Sequence, residues 1–345
     1  MLCYFFLHFE EVIDAASLLV PVRVHKVAGS RLTILIKAVY MSEQVQYGGM
    51  AVIEGVMMRG PDKVSLAVRR TDGSIALEQE TLPALPKHLA FLKWPFIRGT
   101  YVLINSMVIG VRMLNKSANL SLEEEDEQLS GGEIFLTTLL AFVLAIGLFM
   151  ALPTAVVHFT KAYLGGILMQ NLVEGVIRIA FFLIYVYAIS KMKEIERVFM
   201  YHGAEHKSIF TMEAGEELTV ENARKYTTLH PRCGTSFLLI VMVISILVFA
   251  LLGDGSLFYR VWTRLAVLPI VAGLSYEFLR WSGKYYKNSW ARIVIAPGLY
   301  LQKLTTREPD DDQLEVALTA LKLVLPSAEG TVDSLGNDTL ATCPS

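Results

Sequence analysis

The stretch Ile134–Val157 reads IFLTTLLAFVLAIGLFMALPTAVV and contains 24 residues without a charged side chain. A helix of this length measures about 36 Å, which exceeds the hydrocarbon thickness of a bilayer, about 30 Å. The whole chain is 53% hydrophobic with a mean hydropathy of +0.46, too apolar for an ordinary soluble domain. The sequence therefore predicts a mainly α-helical, multi-span membrane protein whose first span is 134–157.

Other apolar stretches bring the predicted number of transmembrane helices to about four. The remaining predicted spans are 168–190, 236–253 and 262–279. Glu174 and Arg178 lie four residues apart within the second span, so we expect them to pair along one face of the helix. Arg264 lies close to the beginning of the fourth span, and we expect its long side chain to extend to the membrane interface.

The basic residues indicate the orientation of these spans. Seven lysines and arginines lie between 191 and 235 and six between 280 and 307, whereas the links after the first and third spans carry only Lys161 and Arg260. Short cytosolic segments are enriched in basic residues relative to those on the other side. Four spans with both termini in the cytosol satisfy this distribution, and residues 191–235 then form a cytosolic hairpin next to the membrane.

The segments outside the spans have distinct patterns. Alternating residues on both sides of Asp72-Gly73 are typical of a β-hairpin. We expect a small cytosolic β-hairpin unit at 47–90, an interfacial helix at 91–120, cytosolic amphipathic helices at 280–325 and a disordered tail at 326–345. Residues 1–40 lack the pattern of a signal peptide, and we interpret them as a doubtful N-terminal extension with translation beginning at Met41.

The pentapeptide His202-Gly203-Ala204-Glu205-His206 is the main candidate for a functional site. Two histidines four residues apart share one face of a helix and can bind one zinc ion. The order H-x-x-E-H is the reverse of the metalloprotease motif H-E-x-x-H, in which the glutamate is the general base. We therefore predict His202 and His206 as metal ligands and Glu205 as the catalytic base.

Additional donors follow in the same hairpin. His230 and Cys233 form an H-x-x-C pair, while the other two cysteines lie at the ends of the chain. Imidazole and thiolate donors together favour zinc among the divalent metals. Glu277 and Glu54 are further candidates for a ligand or for a residue that supports the ligands. The alternative interpretation is a pair of surface histidines beside a buried thiol.

Three stretches of the chain form a distinctive set: YGGMAVIEGVMMRGPDKVSLAVRR (47–70), YHGAEHKSIFTMEAGEELTVENARKYTTLHPRCGTSFLLIV (201–241) and PGLYLQKLTTREPDDDQLEVALTAL (297–321). Together they resemble the YqhQ-like family of bacterial membrane proteins, known as domain of unknown function 1385. The resemblance extends over about 47–325 and includes the His, Glu and Cys motif, although the family usually has Gln at Met50. It implies a predicted metal-dependent protein of the bacterial plasma (inner) membrane and names no substrate.

Three hypotheses about function remain open from the sequence. The first is a metal-dependent hydrolase acting at the cytosolic surface of the membrane, in contact with membrane lipid. The second is a non-enzymatic scaffold with a structural zinc site and a protein partner at the cytosolic face, such as the ribosome or the membrane-protein insertion machinery. The third is a transporter with a path along Glu174, Arg178 and Glu277. Nucleic-acid enzymology is disfavoured, because the net charge is −2 and the basic residues follow the membrane topology.

Overall fold

The computed structural model describes residues 47–83, 87–122, 131–253, 255–285 and 288–326. The predicted extension 1–40 lies outside the described residues, as does the predicted tail apart from Pro326. The described chain is mainly helical and begins with a small antiparallel sheet. This confirms the predicted mainly α-helical fold with a β-containing N-terminal unit.

The N-terminal sheet has four strands where the sequence predicted one hairpin. The strands are β1 (Gly48–Val52), β2 (Gly55–Arg59), β3 (Lys63–Arg69) and β4 (Ile75–Thr81), joined in the order β1-β2-β3-β4 with every pair antiparallel. Both faces of the central strands are buried, because Met58 packs into one hydrophobic cluster and Met57 into another. Residues that alternate along a strand point to opposite faces, so the sheet is covered on both sides.

A 3₁₀-helix at Lys87–Lys93 and then nine α-helices follow the sheet within the described part of the chain. The α-helices are α1 (Ile97–Leu120), α2 (Gly131–Tyr163), α3 (Ile167–Ile189), α4 (Lys193–Ala214), α5 (Val220–Ala223), α6 (Gly234–Ala250), α7 (Leu257–Lys284), α8 (Ser289–Thr305) and α9 (Asp311–Val324). A π-helical turn at Gly147–Ala151 interrupts α2. Helix α9 covers one face of the sheet through Leu314 and Leu321, and α1 covers the other through Ile109 and Met113.

Three of the described helices are long and apolar enough to cross a membrane. They are Gly131–Tyr163, Ile167–Ile189 and, within α7, Leu257–Trp281. Helix α6 is equally apolar but has only 17 residues. These helices are compatible with a membrane protein, and the four spans expected from the sequence stay a prediction. Helix α1 packs on α7, where a Cβ atom at Gly99 would lie 3.0 Å from Gly273 Cα.

Charged side chains are buried where α2, α3, α6 and α7 meet. Arg264 donates from Nε and Nη2 to the two carboxylate oxygens of Glu174 at 2.7 Å each. Arg178 donates to Glu174 Oε1 at 2.8 Å and to Phe149 O, in the π-helical turn, at 2.9 Å. The expected pair Glu174–Arg178 is present, but the expectation that Arg264 extends to the interface is wrong. Its two bonds to one carboxylate offset the cost of removing the guanidinium from water.

Helix α4 is separated from α3 by a short break and runs back to the sheet. It ends at Gly215, which has φ 70°, a left-handed conformation that closes a helix without strain in glycine. Thr219 then caps the short helix α5, and the chain returns to Cys233, the residue that precedes α6. This return brings the two halves of the 191–235 segment together beside the sheet.

Candidate metal centre

Helix α4 positions the H-x-x-E-H motif by close contact with the chain between α8 and α9. A Cβ atom at Gly203 would lie 2.1 Å from Arg307 O, so only glycine permits this approach. Arg307 N donates to Phe199 O at 2.9 Å, which ties the linker to the helix. On another side, Tyr201 packs into the core between α4 and α9. The motif is therefore fixed by contacts on both of its sides.

Two backbone carbonyls orient the histidine rings. His202 Nδ1 lies 2.9 Å from Thr305 O, and His206 Nδ1 lies 2.5 Å from Thr228 O. A carbonyl can only accept, so each Nδ1 carries the ring proton and each Nε2 keeps its lone pair. Metal-binding histidines are commonly held in this way by a carbonyl or carboxylate behind the ring. Both Nε2 atoms are thus prepared to act as ligands.

Cys233 completes a group of three donors. Its Sγ lies 3.2 Å from His202 Nε2, and the ligand atoms of His202, His206 and Cys233 all lie within 4.8 Å of one another. Among the described residues this is the group of histidine, cysteine and acidic side chains whose spacing suits a metal ion. The three ligand atoms belong to two turns of α4 and to the residue before α6, so they meet only in the folded hairpin.

The charges of the cluster favour a thiolate. Burial raises the pKa of Cys233, but the attraction of His206 and His202 outweighs it and holds that pKa well below its ordinary value. Burial lowers the pKa of His206, but Cys233 and Glu205 outweigh it, and the net pKa is raised. The thiolate is the form of cysteine that binds metal. The cluster therefore holds the sulfur in its ligating state.

Glu205 is buried beside the three donors, and each of its oxygens has a different neighbour. Gly49 N, in β1, donates to Glu205 Oε1 at 2.9 Å, while Oε2 lies 3.5 Å from His206 Nε2. A Cβ atom at Gly49 would lie 2.8 Å from Glu205 Cγ, so the strand can approach because residue 49 is glycine. The N-terminal sheet thus orients one oxygen of the carboxylate and leaves the other on the side of the histidines.

A cavity of about 270 Å³ opens next to this cluster. Its walls come from β1, from α4 and from the turn before α6, and they include His202, Glu205, His206 and Cys233. The cavity is large enough to admit water and part of a small ligand. The donors and the carboxylate consequently face space that a substrate could enter.

His230 lies beside the cluster with a different hydrogen-bond pattern. Arg232 N donates to His230 Nδ1 at 3.3 Å, so the neutral ring carries its proton on Nε2. Burial lowers the pKa of His230, which favours this neutral form. The ring centroid lies 5.5 Å from that of His206, and the residue lines the same cavity. In this tautomer His230 Nε2 carries a proton rather than a lone pair, and it lies 3.8 Å from Glu213 Oε2.

Glu277 and Glu54 are not brought into the cluster. Arg98 donates to both oxygens of Glu277, at 2.6 and 2.5 Å, where α1 packs on α7. Arg197 likewise donates to both oxygens of Glu54, at 2.6 and 2.5 Å. Each carboxylate therefore has an arginine partner that joins two elements of the fold.

Residues 94–327 match the family model described as "Protein of unknown function (DUF1385)". The chain belongs to this family. It is 35% identical over 292 residues to the uncharacterized protein YqhQ of Bacillus subtilis (strain 168). The aligned residues make up 81% of this chain and 92% of the relative. No solved structure matches the chain.

Several groups that support the candidate centre in this DUF1385 protein cannot be recognised from sequence motifs. The carbonyls of Thr228 and Thr305 orient the histidines, but a backbone carbonyl leaves no side-chain signature. Gln302 holds the returning turn, because His230 N donates to its Oε1 at 2.7 Å and its Nε2 donates to His230 O at 2.8 Å. Gly49 does have a local signal, because a glycine inside a strand is typical of a close backbone approach.

Proposed function

We propose that this protein is a membrane-bound, metal-dependent hydrolase whose zinc ion is held by His202, His206 and Cys233. The observation that supports this most directly is the convergence of three ligand atoms at the edge of a cavity, with Glu205 beside them. Three protein ligands with a fourth position open to solvent or substrate are typical of catalytic zinc, whereas structural zinc usually has four.

The buried environment fits a metal ion. His206 Nε2 is buried and has no hydrogen-bond partner in the described part of the chain. A buried polar atom without a partner costs free energy, so such an atom usually marks a ligand or a functional constraint. A thiolate and two imidazoles with fixed tautomers form the donor set that zinc prefers. The residues present therefore suit the ion that the motif predicts.

Glu205 is the proposed general base. A zinc ion at this site supplies Lewis acidity, which lowers the pKa of water and polarises a carbonyl or phosphoryl oxygen. Gly49 N binds Oε1 of the carboxylate, and Oε2 stays on the histidine side, where it can take a proton from water.

The proposal includes a membrane location. Three long apolar helices and the shorter α6 support a multi-pass protein of the bacterial plasma membrane. The basic residues of the 191–235 segment support a cytosolic position for the centre, since such residues accumulate on the cytosolic side. The substrate would then approach from the cytosol or from the inner leaflet.

The first test is the metal content of the full chain, purified in detergent without chelators. We expect about one zinc ion per chain, held by the three protein ligands, and loss of zinc in the His202→Ala/His206→Ala double variant. His158→Ala, in α2 and away from the cluster, is the matched control and should keep the metal. Equal zinc content in the double variant and the control would contradict the site.

The second test concerns the role of Glu205. Glu205→Gln should keep zinc but lower chelator-sensitive hydrolysis of p-nitrophenyl acetate or p-nitrophenyl phosphate by roughly 10²- to 10⁴-fold, the usual contribution of a general base. Glu194→Gln, an exposed carboxylate at the start of the same helix, should behave like the wild type. Bound zinc with no hydrolysis in either protein would instead favour the structural-zinc scaffold with a protein partner.

A further inference from the structure

A second, larger cavity lies between α6, α7 and α8. Its volume is about 610 Å³, within the range of about 300–1,000 Å³ that is common for small-molecule sites. Leu239, Ile240 and Ile244 line it from α6, Phe278 from α7 and Val294 from α8. Ser236 is the single polar side chain among the described residues that line it, so the cavity suits an apolar occupant.

This cavity is a long groove rather than a chamber. The lining residues on α6 begin at Ser236 and recur at helical spacing as far as Leu251. That stretch is about 22 Å long at 1.5 Å per residue. It is somewhat longer than half of a hydrocarbon core about 30 Å thick, which is the depth of one leaflet. The exposed fractions of Val243 (47%), Leu247 (63%) and Leu251 (86%) show that the groove opens sideways along its length.

The width of the groove discriminates between occupants. A volume of 610 Å³ open to the centre of a water molecule, spread over about 22 Å, corresponds to a passage about 9 Å across between its walls. An α-helix with its side chains is about 10–12 Å across and does not fit inside. A single hydrocarbon chain does. Because α6 and α7 are apolar on their outer surfaces, the acyl chains of membrane lipids would surround these helices and reach the groove.

One end of the groove adjoins the candidate metal centre. Pro231 and Ser236 line the groove, while Cys233 and Thr235, in the same turn, line the cavity of the centre. Gln302 Nε2 donates to Ser236 Oγ at 2.9 Å, so the hydroxyl is engaged by α8. A molecule with a polar head and a long apolar chain could therefore occupy both spaces at once.

We propose that the groove binds one acyl chain of a membrane lipid whose head group enters the cavity of the metal centre. This rests on the proposed function, because it names the substrate class of the same site. The bond cleaved is an ester in the head-group region. Water adds across it and the C–O or P–O bond breaks, giving an acid and an alcohol. Glu205 takes the proton from water and returns it to the departing alkoxide.

The test uses the full chain in vesicles of phosphatidylethanolamine and phosphatidylglycerol. Two photoreactive phosphatidylglycerols carry a diazirine on one acyl chain, either next to the carboxyl group or next to the terminal methyl. Peptide mass spectrometry locates the adducts. An oriented chain predicts head-proximal adducts near Ser236–Ile240 and methyl-proximal adducts near Leu247–Leu251. Adducts of both probes spread equally along α6 would overturn the proposal. Surrounding lipid is oriented in the same direction, so the variants below separate lipid in the groove from lipid around the helix.

A pair of variants isolates the groove. Ile244→Trp fills it and should reduce the methyl-proximal adducts at Leu247–Leu251 roughly tenfold or more, because the ring takes the space of the chain. Leu238→Trp, on the same helix but outside the groove, should leave them unchanged. Equal labelling of the two variants would also overturn the proposal.

Zinc content, measured on the same samples, separates the two proposals. Zinc retained with no effect of Ile244→Trp on labelling would overturn the lipid inference and leave the metal centre standing. Oriented, groove-dependent labelling in a protein without zinc would overturn the hydrolase proposal and leave a lipid-binding groove without chemistry.

Discussion

Two clusters of ionisable side chains, all buried except the part-buried His202, can be compared in this protein. The bundle cluster consists of Glu174, Arg178 and Arg264, between α3 and α7. The centre cluster consists of His202, Glu205, His206 and Cys233, between α4 and the turn before α6. In the bundle cluster the Glu174 carboxylate receives hydrogen bonds from both arginines and from Thr154 Oγ1. In the centre cluster His206 Nε2 is buried and has no hydrogen-bond partner among the residues that the structure describes, and the donors line a cavity.

The difference separates a structural cluster from a functional one. Complementary charges that satisfy one another, as in the bundle, stabilise helix packing and leave nothing for a ligand to bind. The donor atoms of the centre differ because they converge on one point at the edge of a cavity, where an ion can bind them. This argues against a transport path along Glu174 and Arg178, and it concentrates the expected chemistry at the centre.

The largest expected effect comes from breaking the bundle cluster. Glu174→Leu leaves two buried guanidinium groups without their carboxylate, and removal of one partner from a buried ion pair typically costs about 3–5 kcal/mol. We expect a marked loss of thermal stability, measured by fluorescence-detected size exclusion in detergent. The effect should occur with or without zinc, because this cluster is independent of the centre.

The exposed pair Arg224–Asp311 is the matched control for that experiment. Both side chains are more than half exposed, so Asp311→Leu should leave the thermal stability close to that of the wild type. If Glu174→Leu lowered the thermal stability no more than Asp311→Leu does, the buried network would not stabilise the bundle. The bundle cluster could then not be called structural.

An intermediate effect is expected at Gly203, where α4 meets the linker between α8 and α9. Gly203→Ala places a Cβ atom 2.1 Å from Arg307 O, so the backbone must move, at a cost of about 1–3 kcal/mol. The same movement disturbs the bond from His202 to Thr305 O, and loss of such a supporting bond lowers metal affinity about 10- to 100-fold. Zinc competition with a chromogenic chelator measures this.

Gly132→Ala is the control for Gly203→Ala. Nothing lies within 4 Å of the added Cβ atom at Gly132, in the first turn of α2. Alanine is the better helix former, so this variant should be neutral or slightly stabilising and should keep its zinc affinity. Unchanged zinc affinity in Gly203→Ala would mean that the linker does not support the ligands.

The sequence predicts which side chains of α4 lie together better than it predicts the side-chain pairs of the bundle, for a physical reason. His202 and His206 share a helical face because of their spacing alone, and Gly215 and Thr219 carry local signals that end one helix and begin the next. The burial of Arg264 depends instead on Glu174, 90 residues away. No local pattern encodes that pairing, so a long side chain near a helix end is reasonably expected at the interface.

The same limit applies to the choice of ligands. Glu277 and Cys233 were both candidates, and only the folded chain distinguishes them, because Arg98 binds Glu277 while the turn after His230 brings Cys233 to His202. The four-stranded sheet was underestimated because β1 and β2 are joined by a tight turn at Ile53-Glu54, where Glu54 has φ 48°. A glutamate gives no turn signal of the kind that Asp72-Gly73 gives.

The smallest expected effect is the pH dependence of the metal-free centre. The pKa of Cys233 is lowered in the folded protein, so its contribution to stability is fully present above the unfolded value of about 8.5 and is lost as pH falls through the folded pKa. The pKa of His206 is raised, so its contribution is present below about 6.5 and is lost as pH rises through the folded pKa. With a chelator present, the Cys233 contribution therefore lowers stability as pH falls on the acid side, and the His206 contribution opposes the gain from Cys233 as pH rises above about 6.5.

Thermal unfolding across pH, with a chelator present, measures this profile, and thiolate absorbance in a background with Cys3→Ser and Cys343→Ser measures the ionisation of Cys233 directly. His202→Ala removes one of the two imidazoles that lower the pKa of Cys233, so the absorbance transition should move to higher pH. Cys233→Ser should abolish the loss of stability on the acid side. A transition at the ordinary thiol value in both the parent and His202→Ala would mean that the histidines do not act on the sulfur. The centre would then lack the electrostatic coupling that distinguishes it from the bundle cluster.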